Sequence, residues 1–401
     1  MNHTNAADPS FESRVRALIH GVAFGDAIGA PVEKLTPAEI RADYGWVDTV
    51  DHAWHRTSRD PAAGKGRIRG NGIVTDDTLM TLCLMAVYND VKRHLDAWDM
   101  ADGFVRQIAW VPRYVPELQR ETPVLERLFY PEKWIFQRHQ LSSCDPRQGG
   151  IGNMVNCGAA MYIAPIGVVN AGDPRAAYDE AILFATGHQQ SYGLEAAGVL
   201  AGAIAAAFVP GTDIEAIVDV AYAIAKDGTR DAIGEIAEAA IAMRDKGAEH
   251  PEVTDVFHQR IAEFSPLGDD LDHTERKVGK ASRNYQPSRF LSIEELPLAL
   301  GYALVERGDF RKSIEAGVNS GRDTDSIGVM AGAILGALHG KAVINPDEAS
   351  QIDTINKLDL AAEASRFAET ARGIFGDDAA RFEAVQAARG RPTPASGSAT
   401  L

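Results

Sequence analysis

Three things are scarce in this sequence. It carries 3 cysteines in 401 residues, Cys83, Cys144 and Cys157, at spacings that match no zinc motif. So sparse and odd a set excludes a disulfide-framed secreted scaffold and fits a reducing, cytoplasmic setting. Positive charge is short: 40 Lys and Arg stand against 56 Asp and Glu, a net charge of −16. That balance opposes non-specific binding to nucleic acid or anionic membrane, and neither is an expected partner. Long apolar runs are also missing. The longest, Ala196–Val209 and Ile327–Leu338, are rich in Ala and Gly and fall short of the ~20 residues that span a bilayer. Met1 to Ser10 is polar and lacks the apolar stretch of a secretory leader.

No strand-like alternation and no internal repeat is evident, so the expected class is all-α. The composition, 45% hydrophobic and 24% charged, is that of a globular chain. Ser10 reads as an N-cap, followed by Val15, Leu18, Ile19, Val22 and Ala23 at helical spacing, with Pro31 as the stop. Further helices are expected over Thr75–Val91, Ala159–Ile166, Gly193–Phe208, within 212–263, from Ser292 with its Glu295 capping partner, and over Asp347–Phe375. Residues 98–148 are rich in aromatics and proline, with short helical pieces between the prolines. Two polar stretches interrupt the pattern. One, residues 48–72, carries Arg56, Arg59, Lys65, Arg67 and Arg69, and reads either as a binding loop or as a solvated segment. The other, residues 266–290, reads as a solvated loop. One compact domain over 10–388 is expected, with flexible ends at 1–9 and 389–401.

The chemistry gathers at two acidic turns. Asp323, Asp325 and Ser326 lie at the start of an apolar helix that runs to His339. About 250 residues upstream, Thr75, Asp76 and Asp77 open another. Carboxylates and hydroxyls are hard oxygen ligands, suited to Mg²⁺, Mn²⁺ or Ca²⁺. Each turn alone is equally an ordinary helix cap. Facing one another, the four carboxylates would repel, at roughly 4 kcal/mol per pair at ~4 Å and an effective dielectric of ~20. Divalent cations relieve that, so the expectation is a metal site built by both turns, with two ions.

Glycines fall every fourth residue in both flanking helices: Gly21, Gly25 and Gly29, then Gly328, Gly332 and Gly336. Close helix packing is the preferred reading, at a propensity cost of about 1 kcal/mol each. Asp26 reads as structural, while Glu33 lies just past the first helix, able to reach a nearby site. Gly149, Gly150, Gly152 and Asn153 form a Gly-rich loop whose amides could cradle phosphate, although no P-loop Lys follows. His188 stands before the Ala-rich helix, either as a hydrogen-bonded scaffold group or as a ligand contact.

Five segments together resemble the ADP-ribosylglycohydrolase family, which includes the glycohydrolase that reactivates dinitrogenase reductase. They are GVAFGDAIGAPVE (21–33), TDDT (75–78), CGAAM (157–161), TGH (186–188) and SGRDTDSIGVMAGAILGALHG (320–340), in family order across residues 12–341. The resemblance implies an all-helical single-domain fold with two Mg²⁺ or Mn²⁺ ions in a cleft. By position the ligands would be Thr75, Asp76, Asp77, Asp323, Asp325 and Ser326. Glu33 would act on water, with Asp323 as rival base. The Gly149–Asn153 loop, Cys157, Gly158 and His188 would contact substrate. The implied reaction is hydrolysis at the anomeric carbon of an ADP-ribosyl group. Small N-ribosides without pyrophosphate are the alternative substrates, and a non-catalytic, crystallin-like relative is the alternative class. Ser326 stands where the family usually has threonine, Arg322 where glycine is common, Cys157 where asparagine is frequent and Tyr162 where arginine is frequent. Gly187 separates Thr186 from His188.

Overall fold

The computed structural model describes residues 8–262, 264 and 294–390. The expected loop at 266–290 and the Ser292 cap lie outside the described residues. Helix dominates. The elements that build the site are α1 (Phe11–Gly29), α2 (Asp76–Val91), α3 (Tyr130–Phe136), α4 (Ser191–Ala207), α5 (Glu295–Val305), α6 (Thr324–His339) and α7 (Leu360–Ala388).

The centre is the α1–α6 pair. A Cβ on Gly21 or Gly25 would strike the backbone of Gly332 or Gly328, and one on Gly29 would lie 2.5 Å from the Asp325 Cα. Side-chain-free stripes thus let two backbones touch, as close packing requires. Ser10 starts α1 as expected, accepting from the Ser13 amide at 3.3 Å. Helix α6 is buried from Thr324 to Ala337. With the turn that follows, Thr324–Val343 is by length and composition alone apolar enough to cross a membrane; in this fold it is a core helix, 72% buried. Apolar residues of α2, α4, α5 and α7 join the same core.

The strand expectation needs correction. Pro112–Val115 (β1) and Arg120–Pro123 (β2) pair antiparallel, with Pro112 opposite Pro123 and Val115 opposite Arg120. Each is four residues long and begins or ends at proline, so neither shows enough alternation to be read from sequence. The helix expected at Asp347–Phe375 is two, Pro346–Asn356 and α7, split by Lys357 in the left-handed region at φ 52°. Ala159–Ile166 is instead a 3₁₀ turn at Cys157–Ala159 followed by a helix over Ala164–Val169.

Residues 48–72 are solvated in part, with Arg56, Lys65 and Ile68 exposed, and folded in part. Short helical turns cover His55–Arg59 and Pro61–Gly64. Gly70, at φ +80°, bridges Ala53 and Ile73 and doubles the chain back on itself. The Ile68 amide donates to the Glu117 carbonyl at 2.9 Å, tying the segment to the β1–β2 turn. Arg69 therefore points inward, only 11% exposed.

Candidate functional site

Packing of α1 on α6 decides where the acidic residues meet. Thr324 Oγ1 donates to the Gly29 carbonyl at 2.8 Å. The amides of Lys34 and Arg322 donate to the carbonyls of Arg322 and Leu35, at 2.8 and 3.2 Å. This backbone pairing sets Glu33 against Asp323 and Asp325, whose ligand oxygens lie within 4.8 Å of one another.

Asp26 positions the second turn. Fully buried on α1, it accepts from the Thr75 amide at 2.8 Å, the Thr78 amide at 3.1 Å and Thr78 Oγ1 at 2.5 Å. The start of α2 is thus held by a carboxylate from α1. Thr75 and Asp323 occupy the N-cap positions of α2 and α6, yet neither makes a side-chain cap bond. Thr75 Oγ1 instead donates to Asp77 at 3.4 Å, and Ser326 Oγ donates to Asp77 at 3.1 Å, joining the two turns. The plain capping reading therefore does not describe them.

Asp76, Asp77, Asp323, Asp325 and Ser326 line one cavity of about 880 Å³, while Thr75 and Asp26 are not among its lining residues. Burial pushes Asp77 and Asp325 well up, and neighbouring carboxylates push further: Asp325, Asp26 and Asp76 on the first, Glu33 and Asp323 on the second. Burial, then Glu295 and Glu33, push Asp323 up to about 7. Burial also raises Glu33, but Lys34 at 2.8 Å and Arg69 outweigh it and hold the carboxyl below the usual range. Asp76 arrives paired with Arg127 at 2.5 Å. The floor is thus a dense set of hard oxygen donors whose mutual repulsion a divalent cation would relieve, and the donor chemistry fits such an ion.

The sequence reading missed several residues in or behind the cavity wall. Glu117, at the β1–β2 turn, is fully buried and pairs with both Arg69, at 2.6 Å, and Arg127. Glu132 on α3 accepts from Asn156 Nδ2 at 3.1 Å, and burial, with Asp76, pushes it up to about 7. Glu295 opens α5 beside Asp323. Each lies outside any acidic cluster, so local pattern could not single it out; the adjacent Glu294–Glu295 pair was the faintest signal.

The predicted substrate contacts divide. Cys157 lines the cavity, 3.2 Å from Asp323 Oδ2. A Cβ on Gly158 would collide with the Glu132 carboxylate. Gly149, Gly150, Gly152, Asn153 and His188 are not among the lining residues. The amides of Gly149, Gly150 and Asn153 donate to the carbonyls of Pro146, Thr186 and Gly150. Asn153 Nδ2 donates to Pro131 and His188 carbonyls at 2.9 and 2.8 Å. That loop is packed on the 186–190 turn with the amides of Gly149, Gly150, Ile151 and Asn153 spent, so the expected phosphate cradle is not formed there. His188 is 0% exposed, between Tyr162 Oη at 2.8 Å and the Pro131 carbonyl at 3.1 Å, and burial lowers it to about 3.

The cavity mouth has the opposite charge. Lys34, Arg56, Lys65 and Arg67 line it, with the Trp54 ring and Phe129, 52% exposed. Arg56 and Lys65 have no salt-bridge partner among the described residues.

A family model described as ADP-ribosylglycohydrolase matches residues 7–375. The chain is 26% identical over 360 residues to the uncharacterized protein YegU of Escherichia coli (strain K12), covering 89% of this chain and 96% of that protein. A solved structure titled ADP-ribosylglycohydrolase-related protein complex superposes with a TM-score of 0.53 at 20% identity, covering 91% of this chain and 98% of the other. That likeness speaks for the fold.

Proposed function

Because the chain belongs to the ADP-ribosylglycohydrolase family, we propose that its cavity hydrolyses the bond to the anomeric carbon of an ADP-ribosyl group, with two Mg²⁺ or Mn²⁺ ions held by Thr75, Asp76, Asp77, Asp323, Asp325 and Ser326. The carrying observation is the charge layout: crowded carboxylates on the floor, and at the mouth of the same cavity cations, of which Arg56 and Lys65 have no salt-bridge partner among the described residues. A ribose needs the first and a diphosphate the second. Small phosphate-free ribosides, the second reading, give Arg56 and Lys65 nothing to bind.

Bound divalent ions would orient the ribose hydroxyls and withdraw charge as an oxocarbenium-like state develops. The chain's own residues do the rest. Glu33, clamped by Lys34 and Arg69, stays ionised and holds the attacking water by accepting its hydrogen bond. Asp323 has Cys157 as a hydrogen-bond donor and no salt-bridge partner among the described residues, which leaves it the better proton acceptor. Arg56, Lys65 and Arg67 bind the diphosphate, and Phe129 offers a ring for the base to stack on.

The test compares ADP-ribosyl-arginine, ADP-ribosyl-serine, O-acetyl-ADP-ribose and phosphate-free ribosides, each with Mg²⁺ or Mn²⁺, by mass spectrometry of the released sugar. ADP-ribose release that vanishes in Asp77→Ala and Asp323→Ala, together with bound metal, is expected. Release from phosphate-free ribosides alone would reject the diphosphate substrate. No release from any compound, with metal content unaltered in both variants, would leave a non-catalytic relative.

A further inference from the structure

Glu295 is not used by the chemistry above. It is 1% exposed, lines the cavity, and neither carboxylate oxygen has a hydrogen-bond partner among the described residues. A buried carboxylate in that state is costly unless a cation or donor meets it. The nearby guanidinium of Arg322 is directed to Glu294 at 2.7 Å. Burial, then Glu294, pushes the Glu295 carboxyl up. Beside it stand Asp323 and Cys157, and one ligand atom from each of the three lies within 4.8 Å of the others. Cys157 Sγ is also 3.5 Å from Ser326 Oγ.

The donor set differs from the floor in kind. Mg²⁺ selects oxygen and keeps several waters; a thiol adds nothing for it. Zn²⁺ accepts Cys sulfur at ~2.3 Å with carboxylate oxygen at ~2.0–2.2 Å, in a four-coordinate shell. Such bond lengths set the donors roughly 3.5 Å apart, and Cys157 Sγ and Asp323 Oδ2 already lie at 3.2 Å. The remaining position faces the cavity.

We propose that Cys157, Glu295 and Asp323 form a mixed thiolate–carboxylate site for a borderline-soft divalent cation of the Zn²⁺ type, sharing only Asp323 with the oxygen floor. On coordination the Cys157 proton leaves to solvent and the sulfur binds as thiolate. A cation there ties up Asp323. If the proposed hydrolysis holds, Zn²⁺ therefore inhibits it, but the binding itself does not depend on that reading.

The probe is Co²⁺, titrated into the full-length chain after removal of metals with a chelator. A cobalt–thiolate bond absorbs in the near ultraviolet. That band is expected at one Co²⁺ per chain, displaced by Zn²⁺ and not by equimolar Mg²⁺. Cys157→Ser should abolish it, and Glu295→Gln should weaken Co²⁺ binding by about tenfold or more. Cys144→Ser should leave it intact, although Cys144 has its own imidazole neighbour, His139, at 3.7 Å. No band in the native chain overturns the proposal, as does a band that survives Cys157→Ser or unweakened binding in Glu295→Gln. Circular dichroism checks each variant's fold, and the native chain alone can decide against the site. Failure to cleave ADP-ribosyl compounds would leave the cobalt result untouched.

Discussion

Arg127 shows how single residues hold this cavity together. Its guanidinium is 2% exposed and neutralises Asp76 and Glu117, both buried. Replacing it with Met removes the cation and leaves two carboxylates in a low-dielectric wall. Loss of one partner from such a buried pair costs about 3–5 kcal/mol. Urea unfolding of Arg127→Met at pH 7 should show that loss, and a change below about 1 kcal/mol would mean that the wall relaxes around the missing charge. His94 offers a pH effect away from the site. It bridges Glu180 at 2.6 Å and Asp378 at 2.9 Å, while Tyr88, Asn170 and the Leu95 amide donate to the same Glu180. The hydrogen bond to Glu180, chiefly, raises His94 from 6.5 to about 9. The folded state then keeps a proton that the unfolded chain releases near 6.5. Its contribution is whole below pH 6.5 and is lost as pH climbs through about 9. Thermal melts should fall across that window in the native chain, and fall less in His94→Gln.

Among the elements, the α1–α6 crossing carries the most consequence. The glycine stripes do not contact a ligand; they let one backbone rest on another, and this sets the register of Glu33 against Asp325. Gly25→Ala forces the Gly328 backbone away. Overpacking of that kind costs on the order of 3 kcal/mol and should displace the metal-binding turns as well. Gly376→Ala on α7 is the matching control, since its Cβ meets nothing within 4 Å. There alanine should stabilise by up to about 1 kcal/mol, from helix propensity. Equal effects in the two variants, by urea denaturation, would deny the crossing its role. The β1–β2 hairpin has a comparable task on a smaller scale, because its turn delivers Glu117 to Arg69 and Arg127.

Seen as a whole, the molecule is acidic yet gathers Lys34, Arg56, Lys65 and Arg67 around one opening. Such a mouth attracts anions over about a Debye length, ~8 Å at physiological salt. Arg56→Gln and Lys65→Gln should each raise KM for a diphosphate-bearing substrate several-fold. The same changes should leave KM for a neutral riboside alone. Raising salt from 50 to 500 mM should imitate them. A KM indifferent to both charge removal and salt would show that the mouth does not read phosphate.

The sequence by itself determined the helical class, the start of α1, the two glycine stripes and the two acidic turns. Each is a local pattern with a local cause, such as apolar spacing, capping chemistry, absent side chains or clustered oxygens. Where those turns point was not local. Taken singly, the turns at Thr75 and Asp323 read equally as caps, the cheapest use of such residues at a helix start, and it is Asp26 reaching across from α1 that holds the α2 turn. The 149–153 loop read as an anion cradle, until packing on the 186–190 turn took up its amides. Glu117, Arg127, Glu132 and Glu295 lie in four unlike stretches of chain. Nothing in their spacing announces a shared site; that depends on which surfaces the core brings together, and burial alone turns those scattered charges into one electrostatic unit.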